Sequence, residues 1–160
     1  MKPVIDLLAL HSYLKTSSDE RDFIGICEKI SDDLFKNDLQ PAKIIAQDVP
    51  YELQKKITTM MQDHGVMVSD KPSVQHFVRA LQEAIEDLPV AHLVLAIDPD
   101  QDTVERVSEW LCENIGELVL LDIKRDPLLI AGGVISFNGK THDYSLMREI
   151  GREVCKVESL

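Results

Sequence analysis

The sequence predicts an α+β protein, with a helical bundle over residues 1–88 and a small mixed domain over residues 89–160. Two observations carry this. Up to Leu88 the apolar residues recur every three or four positions, the spacing of helices with one buried face. After Pro89 they bunch into short Leu-, Ile- and Val-rich runs, as strands do, with one stretch of helical spacing between them and another at the end. The second domain is therefore expected to run strand, helix, strand, strand, helix.

Val4, Ile5, Leu7, Leu8, Leu10 and Leu14 predict a short helix over residues 3–15. Ser17 and Glu20 stand at capping-box spacing and open a second helix that runs to about Phe35. Its stripe is Phe23, Ile26, Cys27, Ile30 and Leu34. Pro41–Ala46 reads as one or two helical turns. Val49-Pro50 starts another helix, since proline suits a first turn, and His64-Gly65 stops it. Asp70 to Ser73 open a fourth helix with Val74, Phe77, Leu81 and Ile85 on one face, and Pro89 ends it.

His92–Ile97 reads as the first strand. Asp98-Pro99 is expected to cap and start a helix, with Gln101 at a capping-box position. Val104, Val107, Leu111 and Ile115 face inward, and Gly116 closes the helix. Leu118–Ile123 and Leu128–Phe137 are the next two strands, parted by Lys124-Arg125-Asp126-Pro127. Gly132 and Gly133 lie inside the later run, where glycine marks a bulge or a close approach of another backbone. Asn138-Gly139 is a tight-turn signal. From Asp143 the spacing becomes helical again, through Leu146, Ile150, Val154 and Val157.

Acidic residues outnumber basic ones 28 to 17, for a formal charge of −11. Sequence-independent nucleic-acid binding works by releasing counterions from phosphates and needs the opposite sign. Docking on anionic lipid is disfavoured for the same reason. No apolar run approaches the ~18 residues of a membrane span, and the N-terminus lacks a small-residue cleavage site. Cys27, Cys112 and Cys155 are far apart and form no Cys-x-x-Cys pair, so they read as reduced, packed thiols.

No motif for chemistry appears. The five histidines form no His-Glu-x-x-His pair, and no serine sits in a Gly-x-Ser-x-Gly turn. Gly132-Gly133 leads into a strand, whereas a phosphate loop leads into a helix. Asp98, Asp100 and Asp102 look like the opening of a calcium loop, but Val104 occupies the glycine position. Interaction with a helix N-terminus accounts for them better.

The order from Leu118 to Ser145 resembles the C-terminal signature of the delta subunit of F-type ATP synthases. The mitochondrial counterpart is the oligomycin-sensitivity-conferring protein. The matching residues are the apolar strand Leu118–Asp122, the Asp126-Pro127 turn, Leu129-Ile130, Ala131-Gly132, the strand Val134–Phe137, the turn Asn138-Gly139-Lys140 and the step Asp143-Tyr144-Ser145. Ser136 stands where a basic residue is usual, and His142 where an apolar one is usual. The helical half shows about four helices against six in the family, so it is shortened or diverged.

The resemblance implies a non-catalytic stator subunit with no cofactor and no metal. It implies residence in the peripheral stalk on the cytoplasmic side of the membrane, without insertion into it. The implied partners are the N-termini of the alpha subunits, held by residues 1–88, and the C-terminus of the b subunit, held by residues 89–160. Asp126, Pro127, Gly132 and Asp143 match the motif and are expected to shape the fold rather than touch partners. Two alternatives remain open at this point: an E-type peripheral stalk subunit of another rotary ATPase, and a small α/β enzyme or ligand-binding protein.

Overall fold

A computed structural model describes residues 5–36 and 39–146. The chain forms two compact units, helices first and a small strand and helix unit after them. One unit holds the chain up to Leu14 and from Ser18 to Leu88; the other holds Lys15–Ser17 and the chain from Pro89.

The first unit contains a 3-10 turn, Leu7–Leu10, and four helices: α1 (Ser17–Lys36), α2 (Pro41–Asp48), α3 (Tyr51–Asp63) and α4 (Lys71–Glu86). Each buries the face its spacing prescribes. Phe23, Cys27, Ile30 and Leu34 are buried on α1, and Val74, Phe77, Val78, Leu81 and Ile85 on α4. Ile44 and Ile45 are both buried on α2, which forms a full helix of eight residues.

The helix expected over residues 3–15 is replaced by the 3-10 turn. The Asp6 carboxylate accepts from the Leu8 amide at 3.1 Å. The Ala9 carbonyl, which a helix would give to Tyr13, accepts instead from Lys56 Nζ at 2.9 Å. Tyr13 donates to Leu10 at 2.8 Å, a tighter bond typical of 3-10 geometry. Lys56 also bonds Ser12 Oγ at 2.8 Å and lies 5.2 Å over the Tyr13 ring, so one cation organises this segment.

The second unit is a four-stranded sheet with one helix: β1 (Val90–Leu95), α5 (Gln101–Ile115), β2 (Leu120–Arg125), a 3-10 turn (Pro127–Leu129), β3 (Gly133–Phe137) and β4 (Lys140–Asp143). The spatial order is β2-β1-β3-β4. β1 and β2 are parallel, with α5 as their crossover, while β1–β3 and β3–β4 are antiparallel. Thr16 bridges Leu121 in parallel, and the Leu121 amide donates to the Lys15 carbonyl at 2.8 Å. Lys15–Ser17 thus covers the outer edge of β2.

Three features differ from the sequence expectation. The α5 cap is Asp100, whose carboxylate accepts from the Thr103 amide at 2.8 Å; Asp98 faces Arg125 at 3.4 Å instead. The run from Leu128 is not strand until Gly133. Asp126 caps a 3-10 turn there, and Ile130 at φ 63° breaks any extended run. A fourth strand, β4, occupies Lys140–Asp143; its polar sequence suits an exposed sheet edge and hides it from hydrophobic pattern reading. The helix expected from Asp143 lies almost wholly outside the described residues, as does Cys155.

Candidate interaction site

Strand alternation gives the sheet two unlike faces. Register places Ala91, Leu93 and Leu95 of β1 on one face with Leu121 and Ile123 of β2 and Ile135 and Phe137 of β3. α5 packs there, burying Leu111 against Ala91, Val119 and Leu121. Asp100 starts α5, and Gly116 at φ 81° ends it, its amide donating to Cys112 O at 2.8 Å. These stops set the length of α5, and its buried contacts fall on the β1–β2 half of the face. Over the other half Ile135 and Phe137 are only half-buried.

The result is an apolar groove of about 630 Å³ between α5 and the β4 edge. Leu93, Ile135 and Phe137 line its floor, Trp110 its α5 side, and His142 and Tyr144 its outer side. Trp110 and Tyr144 are exposed at 58% and 72%. Trp110 is the only tryptophan in the chain.

The opposite face carries a polar row set among Val90, Val94, Leu120 and Val134. His92 Nδ1 lies 2.9 Å from Asp122 Oδ2, and Lys124 Nζ lies 3.2 Å from the same oxygen. The bonds from His92 and Lys124 hold the Asp122 carboxyl below the usual carboxylate range. Asp122, His92, Ser136 and Thr141 sit in one register row across the four strands. The residue types suggest a nucleophilic triad. The Ser136 hydroxyl, however, is paired with Thr141 Oγ1 at 2.9 Å, so the row joins two separate surface pairs. Buried Cys27 is likewise no nucleophile: burial, with Glu28 nearby, pushes its thiol up to about 12.

The four motif residues gather at the β2–β3 connection and the end of β4. The Asp126 carboxylate accepts from the Leu128 amide at 3.0 Å, and Pro127 opens the 3-10 turn where no amide is needed. Gly132 has φ 81°, and a side chain there would run into the Tyr144 carbonyl. Gly133 lies so near Val94 O and Leu95 Cδ2 that a Cβ would meet them at 2.9 and 2.6 Å. The Asp143 carboxylate accepts from the Ser145 amide at 2.9 Å. Of the four, Gly132 and Asp143 meet the segment that follows β4, beside the groove. No pattern in the sequence marks Trp110, His142 or Tyr144 as groove residues; the one signal it holds is Trp110 beside the inward stripe of α5.

Among the described residues no three His, Cys, Asp or Glu side chains converge as a metal site, and no helix is long and apolar enough to cross a membrane. No family model matches this chain. It is similar to ATP synthase subunit delta of Desulfosudis oleivorans, with 26% identity over 131 residues, covering 77% of this chain and 71% of that protein. The similarity over most of the chain and the motif of residues 118–145 point in the same direction.

Proposed function

We propose that this chain is a delta-type stator subunit of an F-type ATP synthase, a part that binds and holds rather than catalyses. The observation that carries the reading is the similarity to a delta subunit across 77% of the chain. The groove supports it: an apolar trough beside an exposed tryptophan is the surface that helix-in-groove recognition uses. On this reading the groove of the second unit receives the C-terminal helix of the b-subunit stalk. The helical unit receives the N-termini of the alpha subunits. The chain then ties the catalytic head to the stalk on the cytoplasmic side of the membrane, so that the head does not turn with the rotor and proton flow drives ATP synthesis. Asp126, Pro127, Gly132 and Asp143 shape the groove's end without touching either partner.

The test is reconstitution. Inverted membrane vesicles stripped of this subunit should hydrolyse ATP without pumping protons. Adding the purified chain should restore ATP-driven acidification. Restoration absent, with the chain folded and in excess, contradicts the proposal.

A further inference from the structure

The groove carries a charge signature that its place in the molecule does not require. The chain has a formal charge of −11, yet among the described residues no carboxylate lines the groove. The charged and titratable side chains on its wall, Tyr144 apart, are Lys140 and His142, two residues apart on the edge strand β4 and on the same sheet face as Phe137 and Ile135, their partners across β3. The α5 wall contributes Trp110 and Asn114, which carry no charge. Neither Lys140 nor His142 has an ion-pair partner among the described residues. His142 stacks on Tyr144 at 6.3 Å between ring centres. An edge strand gains from a lysine that blocks pairing with another sheet, but that role alone does not place two basic groups along an apolar trough.

We infer that the Lys140–His142 rim selects a partner helix whose apolar stripe is flanked by carboxylates on the side facing β4. The inference rests on the groove being the stalk-docking site proposed above. Rim charges set register and speed of encounter more than final affinity, so their effect is modest and salt-dependent. The groups facing His142 are Tyr144 beside it, Lys140 on the same strand and Ile135 across β3, none of them a carboxylate.

Two synthetic amphipathic helices with the same leucine stripe provide the test, one flanked by glutamates and the other by lysines. Each is titrated into the intact chain while Trp110 emission is followed. The chain's overall charge favours the lysine probe, so a preference for the glutamate probe isolates the rim. The expected result is roughly tenfold tighter binding of the glutamate probe at low salt, shrinking as salt is added. The Lys140→Glu/His142→Glu double variant should reverse the preference, and Lys140→Gln/His142→Gln should abolish it, with unchanged circular dichroism. Equal binding of both probes, or preference for lysine, overturns charge selection while leaving the groove as a helix site. If neither probe shifts Trp110 emission, the groove assignment falls and the rim proposal with it; the stator reading is then judged by proton pumping alone.

Discussion

Gly132 and Tyr144 touch backbone to backbone: the Tyr144 carbonyl occupies the space where any side chain at 132 would begin. Around this contact the Tyr144 amide donates to Gly133 O at 2.8 Å, and Leu146 N donates to Ala131 O at 3.0 Å. The glycine pair therefore locks the connection after β2 onto the end of β4. Tyr144, so anchored, forms part of the groove wall.

Replacing Gly132 with alanine should destabilise the protein by about 2–3 kcal/mol, combining steric displacement with a left-handed backbone. Gly139 provides the contrast. It also has positive φ, at 74°, but nothing lies within 4 Å of a Cβ built there. Gly139→Ala should cost only ~1 kcal/mol. Paired urea denaturation curves separate the two.

Ile130 is a β-branched residue at φ 63° and ψ −57°, with Ala131 N donating to Leu129 O at 2.7 Å in a three-residue turn. Backbone in this region is strained for any side chain. Ile130 is also exposed, so little packing offsets the strain. Ile130→Gly should raise stability by ~0.5–1 kcal/mol, since relief of strain exceeds the added entropy of the unfolded chain. Thermal melts check this. A fall in stability would mean that the isoleucine side chain packs more firmly than its exposure implies.

The polar row across the sheet predicts an acid-side loss of stability. Folded Asp122 holds its proton less tightly than an unfolded aspartate because His92 and Lys124 bond its charged form. Its contribution is therefore full above the unfolded value of about 3.9 and is lost as pH falls through the lower folded value. His92→Ala with Lys124→Ala should move the Asp122 carboxyl back up toward the ordinary range. Carbon-detected NMR titration of the side chain reads the shift. No change would show that neither neighbour sets it.

Trp110 should matter for binding and hardly at all for folding. It is more than half exposed, unlike its helix neighbour Leu111, which is buried in the core. Trp110→Ala should leave the melting temperature within a degree or two and weaken helix capture at least tenfold, as loss of an aromatic anchor does. Leu111→Ala should instead cost ~2–4 kcal/mol in stability. Calorimetry alongside a binding titration distinguishes the two roles.

Most of the architecture is legible in the residues. The stripes on α1, α3 and α4 are buried as their spacing requires, because each is a single face on an uninterrupted helix, whereas on α5 only Leu111 of the expected stripe is buried and Val104, Val107 and Ile115 are half-buried. Asn138 and Gly139, at φ 47° and 74°, form the tight β3–β4 turn their chemistry favours. The misses have particular causes. Residues 3–15 have helical spacing, but Lys56, distant in sequence, takes the Ala9 carbonyl. β4 carries Lys-Thr-His-Asp, which has no apolar period to detect. The groove has no signal in the sequence for a related reason: it depends on how much of the sheet α5 covers, which no one segment's pattern specifies.

The most direct measurement is a pull-down from a membrane extract of the source organism with the tagged intact chain, read by mass spectrometry. The account predicts co-purification of the ATP synthase alpha, beta, gamma and b subunits, with b reduced at least tenfold for Trp110→Ala. A folded chain that brings down no ATP synthase subunit would contradict it.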